Sequence, residues 1–328
     1  MTSVRTVRPT DLVALVGYDG RVYPNEAVTR DRIGTEMSPH PLETALEQWF
    51  SFATGRHTWI SVKGATLRGL ASARKRGSKA VWEVDCLIDA AADDPNVLMS
   101  LLDQVTGDAG RTGAEKVFLR VASDSPVAKA ACRCGFTAYL TERLLARQGT
   151  AQTEPHTDRE GPNRNGSGEV LKLRRWRKAD AYPTFRLYNR WTPEPVRRHE
   201  ALTLHEWLAA RERVAPPRDA RHWVLERQGQ IAGWLRTAAV GELGRFDLLA
   251  DPAAPELLDR LIDAALTRLR EQPALFTLVP EFANALRERL EERGFDQQGE
   301  FVVLVRRTTR PVPAPQLAPA TPAPTSRT

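Results

Sequence analysis

Two kinds of hydrophobic pattern run along this chain, and each occurs twice. In "HTWISVK", "TLRGLASAR" and "VWEVDCLID", apolar and polar positions roughly alternate, and turns such as "VKGATL" and "RQGQIA" join neighbouring runs. Period-two alternation with tight glycine turns predicts an antiparallel meander. Its strands fall at 57–63, 67–74 and 80–88, and again at 221–227, 230–238 and 243–249. A long amphipathic helix follows (96–107; 256–270), then an apolar strand (116–121; 274–279), a second helix (125–134; 281–293) and a last strand (136–146; 299–306). An opening strand begins at Val4 to Val7, and Asp11 and Asp180 suit first-turn or capping positions of helices. Leu42, Leu46, Trp49 and Phe50, and later Leu204, Trp207 and Leu208, lie at helical spacing.

The two sets are copies of one fold. Trp59 aligns with Trp223 and Gly69 with Gly233 at the same offset. "VDCLID" then matches "FDLLAD", with Asp85 opposite Asp247. Leu98, Leu101, Leu102 and Val105 match Leu258, Leu261, Ile262 and Ala265, and "RCGF" at 133–136 matches "ERGF" at 292–295. The domains expected are 1–147 and 170–308. A flexible linker at 148–169 joins them, and a disordered Pro/Ala-rich tail at 309–328 follows. Strand, helices, three strands, helix, strand, helix, strand gives a mixed, mostly antiparallel sheet flanked by helices in each copy, an α/β (α+β) fold.

Composition narrows the function classes. No stretch of this 328-residue chain approaches the ~20 apolar residues of a membrane span. The N-terminus lacks a signal-peptide core, and three cysteines build no disulfide framework, so a cytoplasmic protein without a membrane partner is expected. The net charge of +6 is spread along the chain, which fits a solvated basic surface better than a nucleic-acid footprint. The densest basic run, "LKLRRWRKAD", aligns with the first strand of copy one.

Each copy ends in a helix, a Gly-Phe pair and a strand. This order resembles the GNAT superfamily of acyl-CoA-dependent N-acyltransferases in its tandem, two-domain form. Gly135 and Gly294 sit where a left-handed helix cap needs a residue without a Cβ, and Phe136 and Phe295 follow. The resemblance implies acetyl-CoA as cofactor and an amine, of a small molecule or a protein, as acceptor. It also implies a Gln/Arg-x-x-Gly-x-Gly/Ala loop for the cofactor diphosphate. Here "DAAADDPN" (89–96) and "ADPAAPE" (250–256) stand in its place, without glycine, arginine or glutamine. The remaining cofactor-binding candidates are the backbone groups of Asn96 and Val97 at the start of the first long helix. Carboxylates in these loops suit an uncomplexed helix terminus rather than a diphosphate. The tyrosine that the family often uses as acid is replaced by Ala131 and Leu290.

Strand-borne carboxylates remain as candidate bases: Glu83, Asp85 and Asp247. Their alternative reading is a solvated strand face or a capping interaction. Cys132 and Cys134 lack the further ligands that a structural zinc site needs, and "HEWLA" has Ala209 where a zincin has its second histidine, so no metal is expected. The resulting expectation is a GNAT-like protein, degenerate in both acetyl-CoA sites, that binds a small-molecule ligand or a partner. The alternative is an active N-acyltransferase with an atypical cofactor loop, and nucleic-acid binding is a lesser one. Neither the oligomeric state nor the acceptor is specified by the sequence.

Overall fold

A row of thirteen strands organises the protein. The structure, a computed structural model, describes residues 2–6, 23–33, 56–64, 66–90, 94–148, 163–164, 170–212 and 220–308. The first half carries β1 (Thr2–Thr6), β2 (His57–Lys63), β3 (Thr66–Lys75), β4 (Val81–Asp89), α1 (Pro95–Arg111), β5 (Lys116–Ala122), α2 (Val127–Arg133) and β6 (Thr137–Gln148). A two-residue β7 (Asn163–Arg164) precedes β8 (Val170–Arg175), α3 (Ala181–Trp191), α4 (Glu194–Glu200) and α5 (Leu204–Ala210). Then come β9 (Arg221–Arg227), β10 (Gln230–Val240), β11 (Leu243–Ala250), α6 (Leu257–Arg268), β12 (Ala274–Pro280), α7 (Asn284–Glu291) and β13 (Asp296–Arg307).

The observed elements follow the periodicity closely. Both meanders are antiparallel. Helix α1, however, runs to Arg111 instead of stopping near Gly107. Ala109 and Val105 are fully buried in the first core, and that packing outweighs the poor helix propensity of Gly107 and Gly110. Leu208 is 37% exposed and does not join the buried face that holds Trp207. Asp11 and the Leu42–Phe50 row, most of the 148–169 segment and the 309–328 tail lie outside the described residues.

On one face of the sheet each half has its own helix-covered core. Leu98, Leu101, Leu102 and Val105 of α1 pack on Trp59, Ala71, Val84 and Leu87. Leu258, Leu261, Ile262 and Ala265 of α6 pack on Leu225, Leu235, Phe246 and Leu248. Both Gly-Phe pairs close their helices as expected. Gly135 and Gly294 each have φ near +78°, the left-handed region. The Phe136 N–H reaches Ala131 C=O at 3.1 Å, and the Phe295 N–H reaches Leu290 C=O at 3.0 Å. These are the outer bonds of Schellman caps. Both phenylalanines are buried in the cores beneath, and Cys134 joins Phe136 as a small apolar residue while Cys132 is exposed.

The sheet order is β1-β2-β3-β4-β5-β13-β6-β12-β11-β10-β9-β8-β7. The halves have therefore exchanged their last strands. β13, from the second half, pairs antiparallel with β5 of the first. β6, from the first half, pairs antiparallel with β12 of the second. β6 and β13 pair with each other between them. The opposite face is shared too, since Ala209 and Ala210 of α5 pack on Val81, Phe118 and Val305. There the Gly77 N–H donates to Ala209 C=O at 2.9 Å. A Cβ on Gly77 would stand 2.2 Å from Leu208 C=O, so only glycine fits.

A truncated chain of residues 1–147 loses β13, the neighbour of β5 on the side away from β4. It is expected to be partly unfolded or self-associating, and a cooperative monomer by size exclusion and urea unfolding would contradict this dependence.

Candidate functional site

In each half, two parallel strands separate and open a wedge. β4 and β5 pair only over Val81–Glu83 and Lys116–Phe118. β11 and β12 pair only over Leu243–Arg245 and Ala274–Phe276. Beyond these residues the facing backbone groups need other partners. In the first half, residues 25–28 provide them. Asn25 Oδ1 accepts the Leu87 N–H at 2.8 Å, and its Nδ2 donates to Asp85 C=O at 3.1 Å. The Glu26 N–H donates to Leu87 C=O at 2.9 Å and the Val28 N–H to Arg120 C=O at 2.8 Å. In the second half, Leu248 and Leu278 occupy the places of Leu87 and Arg120. Among the described residues no turn or loop backbone bond reaches either of them.

Beside the wedges, on the face opposite α1 and α6, lies a continuous chain of buried charge. Arg74 meets Asp31 through two bonds of 2.7 Å and Glu83 at 3.2 Å. Arg76 lies 3.8 Å from Glu83 and 3.0 Å from Glu212. Arg120 bonds Glu212 and Glu142, each at 2.8 Å. Arg30 contacts Glu142 and Asp247 and lies 2.9 Å from Glu212. Arg236 completes the row on Asp247 at 2.8 Å. The five guanidinium groups balance the five carboxylates. Burial of this kind is tolerable only with such pairing.

This balance decides what the candidate bases can do. Asp247 is buried, which alone would raise its pKa, but Arg236 and Arg30 outweigh that and hold it below the usual carboxylate range. Burial likewise opposes ionisation of Glu212, yet Arg120, Arg76 and Arg30 keep it well below that range. Glu83 goes the other way, because burial outweighs the attraction of Arg76 and Arg74. Its carboxylate nevertheless lies between those two guanidinium groups. Asp85 is 1% exposed with Arg56 Nε 2.7 Å away, an ion contact without a well-directed hydrogen bond. The structure thus brings Glu83 and Asp247 into one network and leaves Asp85 beside it, paired with Arg56.

Acids stand near the starts of both long helices, and Asp94 caps the first. Asp94 accepts the Asn96 N–H at 3.1 Å through its side chain and the Val97 N–H at 3.1 Å through its carbonyl. Ahead of α6, Asp251 accepts the Ala253 N–H at 3.2 Å and pairs with Arg190 at 2.9 Å, while Glu256 pairs with Arg227 at 3.0 Å. Asp180 accepts the Arg177 N–H at 2.7 Å and pairs with Arg174. Among the described residues no group of three or more His, Cys, Asp or Glu side chains is placed to hold a metal ion. No helix there is long and apolar enough to cross a membrane.

Sequence reasoning missed Arg30, Glu142 and Glu212. Arg74/Glu83 and Arg236/Asp247 are cross-strand neighbours and could have been paired from the meander register. Arg30 and Glu212 lie in irregular segments where no periodicity applies. A further arginine was also missed, outside this network. Arg211 lies over the rings of Trp176 and Trp207, at 5.7 and 5.3 Å, with Nη2 3.4 Å from His222 Nδ1. Burial, followed by Arg236 and Arg211, pushes His222 down to about 4.

The comparisons are structural. No family profile and no curated protein matches the sequence. A GCN5-related N-acetyltransferase from Sphaerobacter thermophilus superposes with TM-score 0.52 at 14% identity, over 93% of this chain and 95% of its own. A tandem GNAT protein from the clavulanic acid biosynthesis pathway gives TM-score 0.49 at 12% identity, over 95% and 100%. A putative acetyltransferase from Pyrococcus horikoshii gives TM-score 0.49 at 10% identity, over 94% and 90%. The match to the Sphaerobacter protein spans nearly the whole of both chains. The chain has the fold of the GCN5-related N-acetyltransferases.

Arg30→Ala leaves Glu142, Glu212 and Asp247 short of a cation and is expected to cost about 3–5 kcal/mol in urea unfolding. Arg30→Lys should recover only part, because an ammonium cannot fork to three carboxylates. Stability should also fall with acid in two stages. The unfolded chain protonates His222 near 6.5 while the folded one waits until about 4. Stability therefore declines across that window, by about 3 kcal/mol. Below it, Asp247 and Glu212 lose their contribution as pH falls through their depressed folded values. Replacing His222 by Asn should shrink the first stage to the share of His57 and His199, whose pKa values burial also lowers, and leave the second.

Proposed function

We propose that this protein keeps the N-acetyltransferase fold but does not perform ordinary acetyl-CoA-dependent transfer in either half, and that it serves as a ligand- or partner-binding protein. The observation that carries this reading is the pairing of the candidate bases. A general base needs a free lone pair within reach of the acceptor amine. Glu83 faces Arg74 and Arg76, and Asp247 faces Arg30 and Arg236. The capped start of α1 adds to it, since the Asp94 carboxylate takes the Asn96 N–H and repels a diphosphate where backbone N–H groups would otherwise attract one. A small-molecule ligand or an amine-bearing partner fits this reading. Three free cysteines fit a cytoplasmic location.

One observation favours the second reading, an active acyl-CoA-dependent N-acyltransferase. The wedge of the second half keeps the backbone of Leu248 and Leu278 unpaired among the described turns and loops. An extended cofactor bearing amide groups has hydrogen bonds to make there. Asp247 would be the base on that reading, and it would have to part from Arg30 or Arg236 to act.

Calorimetry with acetyl-CoA separates the two. The proposed reading expects no binding at micromolar concentrations and no thiol release in a screen of amine acceptors. Micromolar binding, or turnover that Asp247→Asn abolishes, would sink it.

A further inference from the structure

The unequal wedges carry one step further. Residues 25–28 do more than fill a gap. They satisfy β4 and β5 in the way an added strand would, with the Asn25 amide standing in for a peptide unit against Leu87 and Asp85. Ser125 Oγ donates to Glu26 Oε2 at 2.7 Å, and Arg32 Nη1 donates to Asp85 C=O at 3.0 Å. Ala27 is 3% exposed and belongs to the core beneath α1. Two residues past Val28, the same segment places Arg30 among Glu142, Glu212 and Asp247, which come from both halves. The Arg30 carbonyl accepts from Arg245 of β11 at 2.9 Å.

We propose that the wedge between β4 and β5 is a binding slot for an extended peptide chain, occupied in cis by Asn25–Val28, and that its occupancy is coupled through Arg30 to the ion cluster joining the halves. The chemistry of the occupant follows from its bonds. It must be extended, present an N–H to Leu87 C=O and another to Arg120 C=O, and carry a primary amide or peptide unit opposite Leu87. A competitor of that kind enters only by expelling residues 25–28. Chain continuity then draws Arg30 away from its three carboxylates. The slot therefore acts as a latch: closed, it holds the halves together through Arg30, and opened, it loosens them. The proposal rests on the reading above only in taking the first half to hold no cofactor.

Amide hydrogen exchange of the full-length chain tests it. In Asn25→Ala, exchange at Leu87 should rise by about ten-fold, the effect of losing the paired amide, while β10 amides keep their protection. Adding a synthetic peptide with the sequence of residues 23–33 should restore Leu87 protection, and the same peptide with alanine for asparagine should not. Should Asn25→Ala fail to fold, Asn25→Leu keeps the side-chain volume, loses both amide hydrogen bonds and is read in the same way. Arg30→Gln should also raise exchange at Leu87, although Arg30 makes no bond to it. Unchanged Leu87 exchange in the Asn25 variant, or no re-protection by the peptide, overturns the slot. Unchanged exchange in Arg30→Gln overturns the coupling. Acetyl-CoA binding by the unaltered protein with Leu87 still protected would count against the proposed function and leave this inference standing.

Discussion

The fold depends on the exchange of its last strands. Because β13 lies between β5 and β6, and β6 lies between β13 and β12, neither half completes its sheet alone. The backbone hydrogen bonds of four adjacent strands are shared between distant parts of the sequence. A sheet edge left open at β5 or β12 would be a template for pairing with other chains. The exchange removes both edges at once and brings the front faces of the two halves side by side.

That juxtaposition explains the buried ions. Arg120 on β5 and Glu142 on β6 come together because their strands flank β13. Arg30 and Glu212 are then required from irregular segments to balance them, and they tie in Asp247 from the far half. A buried network of this kind adds little net stability compared with apolar packing, but breaking any member leaves an uncompensated charge. It favours one arrangement of the halves over others. It also pairs Glu83 and Asp247, two of the carboxylates that the sequence offers as candidate bases.

The two wedges differ although their strands pair alike. Their parallel pairing ends at equivalent residues, Glu83 with Phe118 and Arg245 with Phe276. In the first, an asparagine side chain and two backbone N–H groups close the gap. Fold similarity alone could not have revealed the difference, because function lies in the site and not in the architecture that carries it.

Local chemistry was legible in the sequence. Alternating runs such as "HTWISVK", the apolar rows of α1 and α6, and the glycines that must adopt positive φ at 135 and 294 are set by residues close together in the chain. The acid ahead of the first long helix was readable for the same reason, and the Asp94 side chain caps that helix. What only the tertiary structure decided involves partners far apart. The sequence placed β6 and β13 as closing strands, each of its own half. It could not say that each would cross to the other, because an antiparallel strand carries no label for which of two similar edges it pairs with. Glu83 and Asp247 read as possible bases on half-exposed strands. Their fate was set by Arg74, Arg76, Arg236 and, above all, Arg30, whose carboxylate partners lie more than a hundred residues away in the chain.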